Sequence, residues 1–373
     1  MIETGSIKEA LIEAVIIKAG IIKRAVQSVT NDAFELTIET TESNETFLLP
    51  MQSVTSIDID WGDGNVDTNI TTDDPTHVYA TAGTYAISVT GTAGTVVFFG
   101  SGSEGKLKTV TNLGALGWTT LEASFRDCSS MTSFDAGDCD TSSVTFMGDM
   151  FIDCSSLTVL DVGSFDTSSV TSTGFMFKGC SLLTALDVSG FNTSSVKNMG
   201  SMFLACSSLT ALDVSNFDTS SVTNMYGMFD NCSSLTTLDP SNFDTSSVTN
   251  MASMFNNCLL LTSLDVSSFD TSSVTAMSRM FRNCSSLTDI VGVEDFNIEG
   301  LNNTNSLNNF ATNVTLPTSR YDQLLINWDA QDPLDNMTPN FGNSKYTAGG
   351  AAEAARTSLR DGDGWTITDG GPA

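Results

Sequence analysis

Cys128, Cys154, Cys180, Cys206, Cys232, Cys258 and Cys284 stand 26 residues apart, each inside a copy of one phrase. It is cleanest at residues 202–227, MFLACSSLTALDVSNFDTSSVTNMYG. A fixed period of 20 to 50 residues limits a chain more than its composition does. One such unit cannot bury its own apolar face, so each needs a neighbour on either side. The expected architecture is a stack of coils, with atypical segments closing its two ends.

Aligning the copies on cysteine shows the inward columns. Phe125, Phe151, Phe177, Phe203, Phe229, Phe255 and Phe281 form one, and the cysteines another. Leu157, Leu183, Leu209, Leu235, Leu261 and Leu287 follow, then Leu160, Leu186, Leu212, Leu238 and Leu264 three residues on. The segment L-x-x-L-D-V-x-x-F has the grammar of a leucine-rich repeat, a short strand and then a turn. The segment V-x-x-M-x-x-M-F-x-x-C has helical spacing and predicts a helical turn in each coil. Asp-Thr-Ser-Ser ahead of it suits a turn and an N-cap.

The flanks read differently. In residues 1–30, Ile7, Leu11, Val15, Ile22 and Val26 recur at mostly helical spacing, beside Lys8, Lys18, Lys23 and Arg24. That predicts an amphipathic docking or oligomerisation helix, or a helix packed on the next domain. Acidic and basic residues interrupt this segment, so it does not read as a secretory signal, and general export is not expected. Residues 31–100 alternate apolar and polar, as in FELTIET, TSIDIDW and TYAISVTG, which predicts strands. They also carry WGDG (Trp61 to Gly64) and the set His77, Tyr79, Gly83 and Tyr85. This pair of motifs resembles the PKD-type, immunoglobulin-like β-sandwich. The only histidine, His77, has a structural place in that motif. Residues 101–124 are too apolar for a free linker and read as an irregular first coil. Beyond the repeats, residues 317–373 predict a helix bearing Tyr321, Leu324, Leu325 and Trp328, a second alanine-rich helix, and a final strand WTIT.

The 26-residue phrase resembles the BspA-type leucine-rich repeat of bacterial and mycoplasma surface proteins, over residues 125 to about 290. The WGDG segment before it and the tail after it match the layout of related chains. The resemblance implies a surface or adhesion protein, of a kind also carried by bacteriophages. The expected fold is therefore modular: a docking segment (1–30), a PKD-like β-sandwich (31–100), a leucine-rich-repeat solenoid of strand plus helical turn (101–316), and a small α/β C-terminal cap (317–373).

Charge and chemistry narrow the function. With 44 Asp and Glu against 15 Lys and Arg, the net charge is −29. Such a surface repels phosphate, so nucleic acid is not expected as a partner. No run of 18 apolar residues exists, so no membrane span is expected. The cysteines lack the paired spacing and the histidines of a zinc site. Stacked coils, about 4.8 Å apart, bring the thiols within disulfide range, but their odd number and parallel direction oppose pairing. A buried free-thiol ladder is expected. No nucleophile elbow, zinc-binding or phosphate-loop motif is present, so no catalytic residue and no metal ligand is assigned.

The candidate binding residues are Asp135, Asp161, Asp187, Asp213, Asp239 and Asp265. They lie between the inward positions of the strand and should point outward from a concave sheet. Like charges stacked at about 4.8 Å cost up to about 1 kcal/mol per pair in water. Serine donors or a cation would offset that; Ca²⁺ has suitable chemistry, but the sequence has no EF-hand or nonapeptide calcium motif, so no cofactor is expected. A second column, Asp140, Asp166, Asp218, Asp244 and Asp270, sits in the turn, where bonding to backbone amides is expected. The expected function is a non-catalytic virion component, such as a tail fibre, spike or head fibre. It would dock on other virion proteins through its N-terminus, contact a host-surface glycan or protein, and assemble as a homo-oligomer. The rivals are a bacterial cell-surface adhesin and a polysaccharide-degrading spike enzyme.

Overall fold

A computed structural model describes residues 32–373. The proposed docking positions Ile7, Leu11, Val15, Ile22 and Val26 lie outside the described residues. From residue 32 onward the alternating segments form strands: β1 (Phe34–Thr40), β2 (Glu45–Leu48), β3 (Met51–Gln52), β4 (Ser56–Asp60), β5 (Val66–Ile70), β6 (Thr76–Tyr79), β7 (Gly83–Thr92) and β8 (Thr95–Val96). β1, β4, β5 and β7 pair antiparallel in one sheet, while β2 pairs with β6 and β3 with β8. Their period-two pattern is visible in burial. Phe34, Leu36, Ile38, Ile57, Ile59, Ile87 and Val89 of the large sheet join Phe47, Met51 and Val96 of the small ladders in one apolar core.

The two sequence motifs close a single corner of this unit. Trp61 is fully buried, and its ring stacks on His77 at 5.0 Å. The His77 Nε2 lies 2.8 Å from the Asp63 carboxylate, and the Tyr79 hydroxyl donates to the Trp61 carbonyl at 2.8 Å. Gly62 has φ +77°, and a Cβ there would lie 2.2 Å from the Ala86 carbonyl oxygen. Only glycine satisfies both the turn and the close approach.

The boundary expected at residue 100 is not a boundary in hydrogen bonding. Strand β9 (Leu107–Asn112) pairs antiparallel with β1 on one edge and parallel with β10 (Ser133–Asp135) on the other. β10 pairs parallel with β11 (Val159–Asp161), so one seven-stranded sheet runs β11-β10-β9-β1-β7-β4-β5 from the N-terminal unit into the first coils. Pairing β1 with β9 satisfies an edge of backbone groups that would otherwise be open. It also gives the first coil a template.

Beyond β11 the coils stack through their side chains and a second backbone ladder. Rings of Phe177, Phe203, Phe229, Phe255 and Phe281 follow one another at 5.7 Å, nearly parallel. Single parallel bridges join Phe146, Ser172, Asn198, Asn224, Asn250 and Ala276 in series. The predicted helical turn is absent from every coil. Instead the amides alternate. Ser201, Phe203 and Ala205 donate to Tyr226, Met228 and Asp230 of the next coil, whereas Met202, Leu204 and Cys206 donate three residues back within their own. A helix would keep all these donors internal. Here half are committed to the neighbour, and the apolar spacing of V-x-x-M-x-x-M-F serves a run of turns equally well.

The alternation depends on two left-handed residues per coil. One directly precedes the cysteine: Asp127, Asp153, Gly179, Ala205, Asn231, Asn257 and Asn283. Asp, Asn and Gly enter that region at least cost. The other lies four residues earlier, at Ala123, Asp149, Phe175, Ser201, Gly227, Ser253 and Arg279, where residue type gives little hint.

The far end closes as the apolar spacing predicts. Helices α1 (Thr318–Asp329) and α2 (Ala351–Asp361) pack on each other, and α1 buries Tyr321, Leu324, Leu325 and Trp328. The expected final strand is reduced to a bridge between Asn340 and Thr368, with Thr366 donating to the Met337 carbonyl. Trp328 contacts Phe310, Phe341 and Trp365, which covers the last coil's aromatic face.

Candidate binding face

Asp135, Asp161, Asp187, Asp213, Asp239 and Asp265 are all exposed and lie in one column across the coils. The residues on either side, such as Leu186 and Val188, are buried, so the alternation of the L-D-V triplet sends the carboxylate outward. Each aspartate also has a local task. Its Oδ1 accepts the amide two residues on, at 2.9–3.0 Å, from Gly137, Gly163, Ser189, Ser215, Ser241 and Ser267 respectively. The turn column does the same through Ser142, Ser168, Ser220, Ser246 and Ser272. The expected contrast between a functional and a structural column is thus absent at this level. Both columns cap turns, and both leave carboxylate oxygen facing outward.

Serine donors favour the ionised form at Asp187, Asp213, Asp239 and Asp265. The Ser215 hydroxyl and then its amide keep Asp213 below the usual carboxylate range, and Ser241 does the same for Asp239. At Asp265 the Ser267 hydroxyl donates at 2.6 Å, again lowering the carboxyl pKa. This is hydrogen bonding to the charged form, which favours it.

The column borders two shallow depressions of about 340 and 490 Å³ that share Ala211 and Asp213. Their walls are Asp187, Asp213 and Asp239, with small residues Ala185, Ala211 and Thr237. Their floor is Leu160, Leu186, Leu212 and Leu238, 7–8% exposed where the phenylalanine column is at 0%. The opening has a backbone cause. Among the described residues, no backbone-to-backbone hydrogen bond joins residues 184–188 to either neighbouring coil, and the backbone of residues 210–214 meets that of the next coil through Thr210 and a lone Ala211–Thr237 bridge. Side chains of Asn216 and Asn242 tie the edge of this stretch, at the Val188 and Val214 carbonyls. Strand pairing resumes only between β12 (Leu264–Asp265) and β13 (Ile290–Val291). The closely bonded side of the stack is the opposite one, at residues 145–153 and their equivalents. The column is therefore mixed: Asp135, Asp161 and Asp265 lie in paired strands, whereas Asp187, Asp213 and Asp239 lie where backbone pairing between coils lapses.

The cysteines form an internal ladder. Cys128, Cys154, Cys180, Cys206, Cys232, Cys258 and Cys284 are buried, and all eight thiols are free. From Cys154 onward each Sγ donates to the carbonyl of the phenylalanine 29 residues back, for example Cys206 to Phe177 at 3.1 Å. Burial pushes the Cys154, Cys180, Cys206 and Cys232 thiols well above their ordinary pKa. A thiol held protonated is a poor nucleophile and a poor metal ligand.

One repeated residue has a larger role than its turn motif indicates. Thr141, Thr167, Thr193, Thr219, Thr245 and Thr271, the threonines of Asp-Thr-Ser-Ser, are buried. Their hydroxyls donate to carbonyls of the next coil, as Thr167 does to Asn192 at 3.0 Å, and the Asn192 amide returns a bond at 2.7 Å. The signal was the appearance of threonine in every copy, where serine would serve a surface turn as well. Among the described residues, no group of three or more His, Cys, Asp or Glu side chains is placed to hold a metal ion, and no helix is long and apolar enough to cross a membrane.

The coils coincide with a known family pattern. The family model DUF285, a Mycoplasma protein of unknown function, matches residues 119–235 and again 203–321. Together the matches span more than half of the chain. The chain belongs to this family. DUF285 is a family of BspA-like surface proteins, which agrees with the resemblance carried by the 26-residue phrase. No curated protein and no solved structure matches the chain.

Proposed function

We propose that this DUF285 chain is a non-catalytic, surface-displayed binding protein whose contact face is the outward aspartate column. The observation that carries this reading is the opening between coils beside Asp187, Asp213 and Asp239. Ionised carboxylates there border a partly exposed leucine floor, an arrangement suited to contact with an external ligand. In fold terms we read the chain as a PKD-like β-sandwich continued by a leucine-rich solenoid and closed by an α/β cap.

The family match favours the envelope of a bacterial cell as the place of display. A virion component that touches a host is the second reading. It draws on the layout of WGDG unit, repeats and C-terminal tail taken together. Immunolabelling separates them: label on intact cells supports the adhesin, label on purified particles supports the virion component, and label only after lysis sinks both. The contact face is tested with Asp187→Asn, Asp213→Asn and Asp239→Asn combined in the full chain. Binding of the purified variant to intact bacterial cells should fall at least tenfold, with an unchanged circular dichroism spectrum. Undiminished binding would rule this face out.

A further inference from the structure

The molecule carries a second recess, remote in sequence from the aspartate column. It is a groove of about 670 Å³ on the outer face of the small ladders, where β3, β8 and the loop after β8 meet. That volume is in the range of small-molecule sites. Its walls arise from strand alternation. Met51 and Val96 point into the core, so their neighbours Gln52, Thr95 and Val97 face the groove.

Three features give the groove a chemical character. First, Phe99 is 44% exposed and lines it. The ring is not free to turn away: the Arg126 guanidinium sits 4.2 Å from its centroid, and Arg126 is itself tied to Asp149 at 3.1 Å. A cation over an aromatic face holds it by attraction to the ring quadrupole. Second, the polar groups are set in advance. Gln52 Nε2 donates to both oxygens of Asp74 at 3.0 Å, while the Asp74 amide donates to the Met51 carbonyl. The amide oxygen of Gln52 and the hydroxyls of Ser53, Thr95 and Ser101 complete a set of neutral donors and acceptors around the ring. Third, no lysine or arginine lines the groove, and the chain carries a net charge of −29. An anionic ligand is disfavoured twice over.

We infer that this groove is a binding site for a neutral saccharide. A pyranose ring has the two faces the groove asks for. Its C–H face lies on an aromatic ring, drawn by the negative π-surface, and its hydroxyls both donate and accept around the edge. Leu48, Pro50 and Val97 give a floor for the apolar face beside Phe99, while Asp74 and Gln52 take hydroxyl hydrogen bonds from one side. The site is independent of the aspartate column and goes beyond it, since here a single carboxylate, Asp74, stands among an aromatic ring and neutral side chains.

The test uses the full chain and saturation-transfer difference NMR with three named probes: maltohexaose, cellohexaose and N-acetylglucosamine hexamer. At least one should receive saturation, and heparin-derived hexasaccharide should not. Phe99→Ala should weaken binding of that probe at least tenfold, and Asp74→Asn at least threefold. Phe146→Ala, an equally exposed aromatic outside the groove, should leave it unchanged. Should Phe99→Ala unfold, Asp74→Asn and Thr95→Val decide the matter, both being near-isosteric changes at half-buried positions. Silence of all three probes at millimolar concentration overturns the proposal, and so does equal binding by the folded groove variants. The combined aspartate-column variant should keep saccharide binding, which separates failure of this site from failure of the contact face.

Discussion

At the residue scale the molecule is a set of columns, and each column answers one physical demand. Phenylalanine fills the axis, and cysteine fills the gap beside it while donating a weak hydrogen bond to a carbonyl. Cysteine suits that slot because it is small, apolar and able to donate. Its chemistry is suppressed by burial, which favours the neutral thiol. Ellman's reagent at pH 8 should therefore find at most one reactive thiol in the native chain, Cys139, the single cysteine that is only partly buried. All eight should react in denaturant. Several fast-reacting thiols in the native state would contradict the buried ladder. Threonine answers another demand. In Thr167→Val the shape is kept but both bonds to Asn192 are lost, leaving a donor and an acceptor unpaired. The expected cost is about 1–3 kcal/mol, read from chemical denaturation. Thr158→Val, whose hydroxyl is exposed and makes one bond to Thr132, should change stability by less than half as much.

Elements here are defined by where backbone hydrogen bonds go, and that was the least legible part of the sequence. The strands of residues 34–92 follow from alternation, and α1 follows from four buried residues at helical spacing. The turns before each cysteine carry the same apolar spacing as a helix, yet their amides are shared with the next coil. Spacing alone does not distinguish the two, because it reports which side chains face inward and not where an amide points. The left-handed residue before cysteine was a readable clue, being Asp, Asn or Gly in most copies. The three asparagines there also link side chain to side chain, Asn257 to Asn231 at 3.0 Å and Asn283 to Asn257. Hydrogen exchange tests the asymmetry of the stack. Amides of Met199, Met225 and Met251, which donate to the following coil, should be strongly protected. Amides of 185–187 should exchange orders of magnitude faster under native conditions. Equal protection on both sides would mean that the aspartate face is bonded as tightly as its opposite, removing the opening on which the proposed contact face depends.

For the whole molecule, one core runs from Phe34 to Trp365 without interruption. Stability should thus be lost as a unit from the N-terminal sheet into the coils, since β9 belongs to both. Its pH limits follow from the two kinds of column. The thiols have folded-state pKa values raised above about 9, their ordinary value. Unfolded chains then release protons that folded chains keep, so stability is full below that pH and falls as pH rises through it, by about 1.4 kcal/mol per unit per buried thiol. Asp213, Asp239 and Asp265 have lowered values, so their contribution is present above about pH 4 and is lost as pH falls through the folded-state values. Because they are exposed, the acid limb should be shallow and the alkaline limb steep. A series of denaturation midpoints from pH 3 to 11 checks this, and a flat profile above pH 9 would contradict the thiol account. Replacing Cys180, Cys206 and Cys232 together by alanine should flatten that limb.

The sequence by itself determined the period, the identity of the inward columns, the alternating strands ahead of them and the helices behind. Those features depend on side-chain polarity at fixed spacing, which is local information. It also indicated the family, because the phrase is long and repeated. Only the tertiary structure decided which coil edge is held by main-chain bonds, that the first sheet continues into the coils, and that Phe99 is clamped beside a groove. Each of these depends on which backbone groups and rings meet across 25 residues or more, and the spacing of apolar residues within one coil carries no record of such meetings.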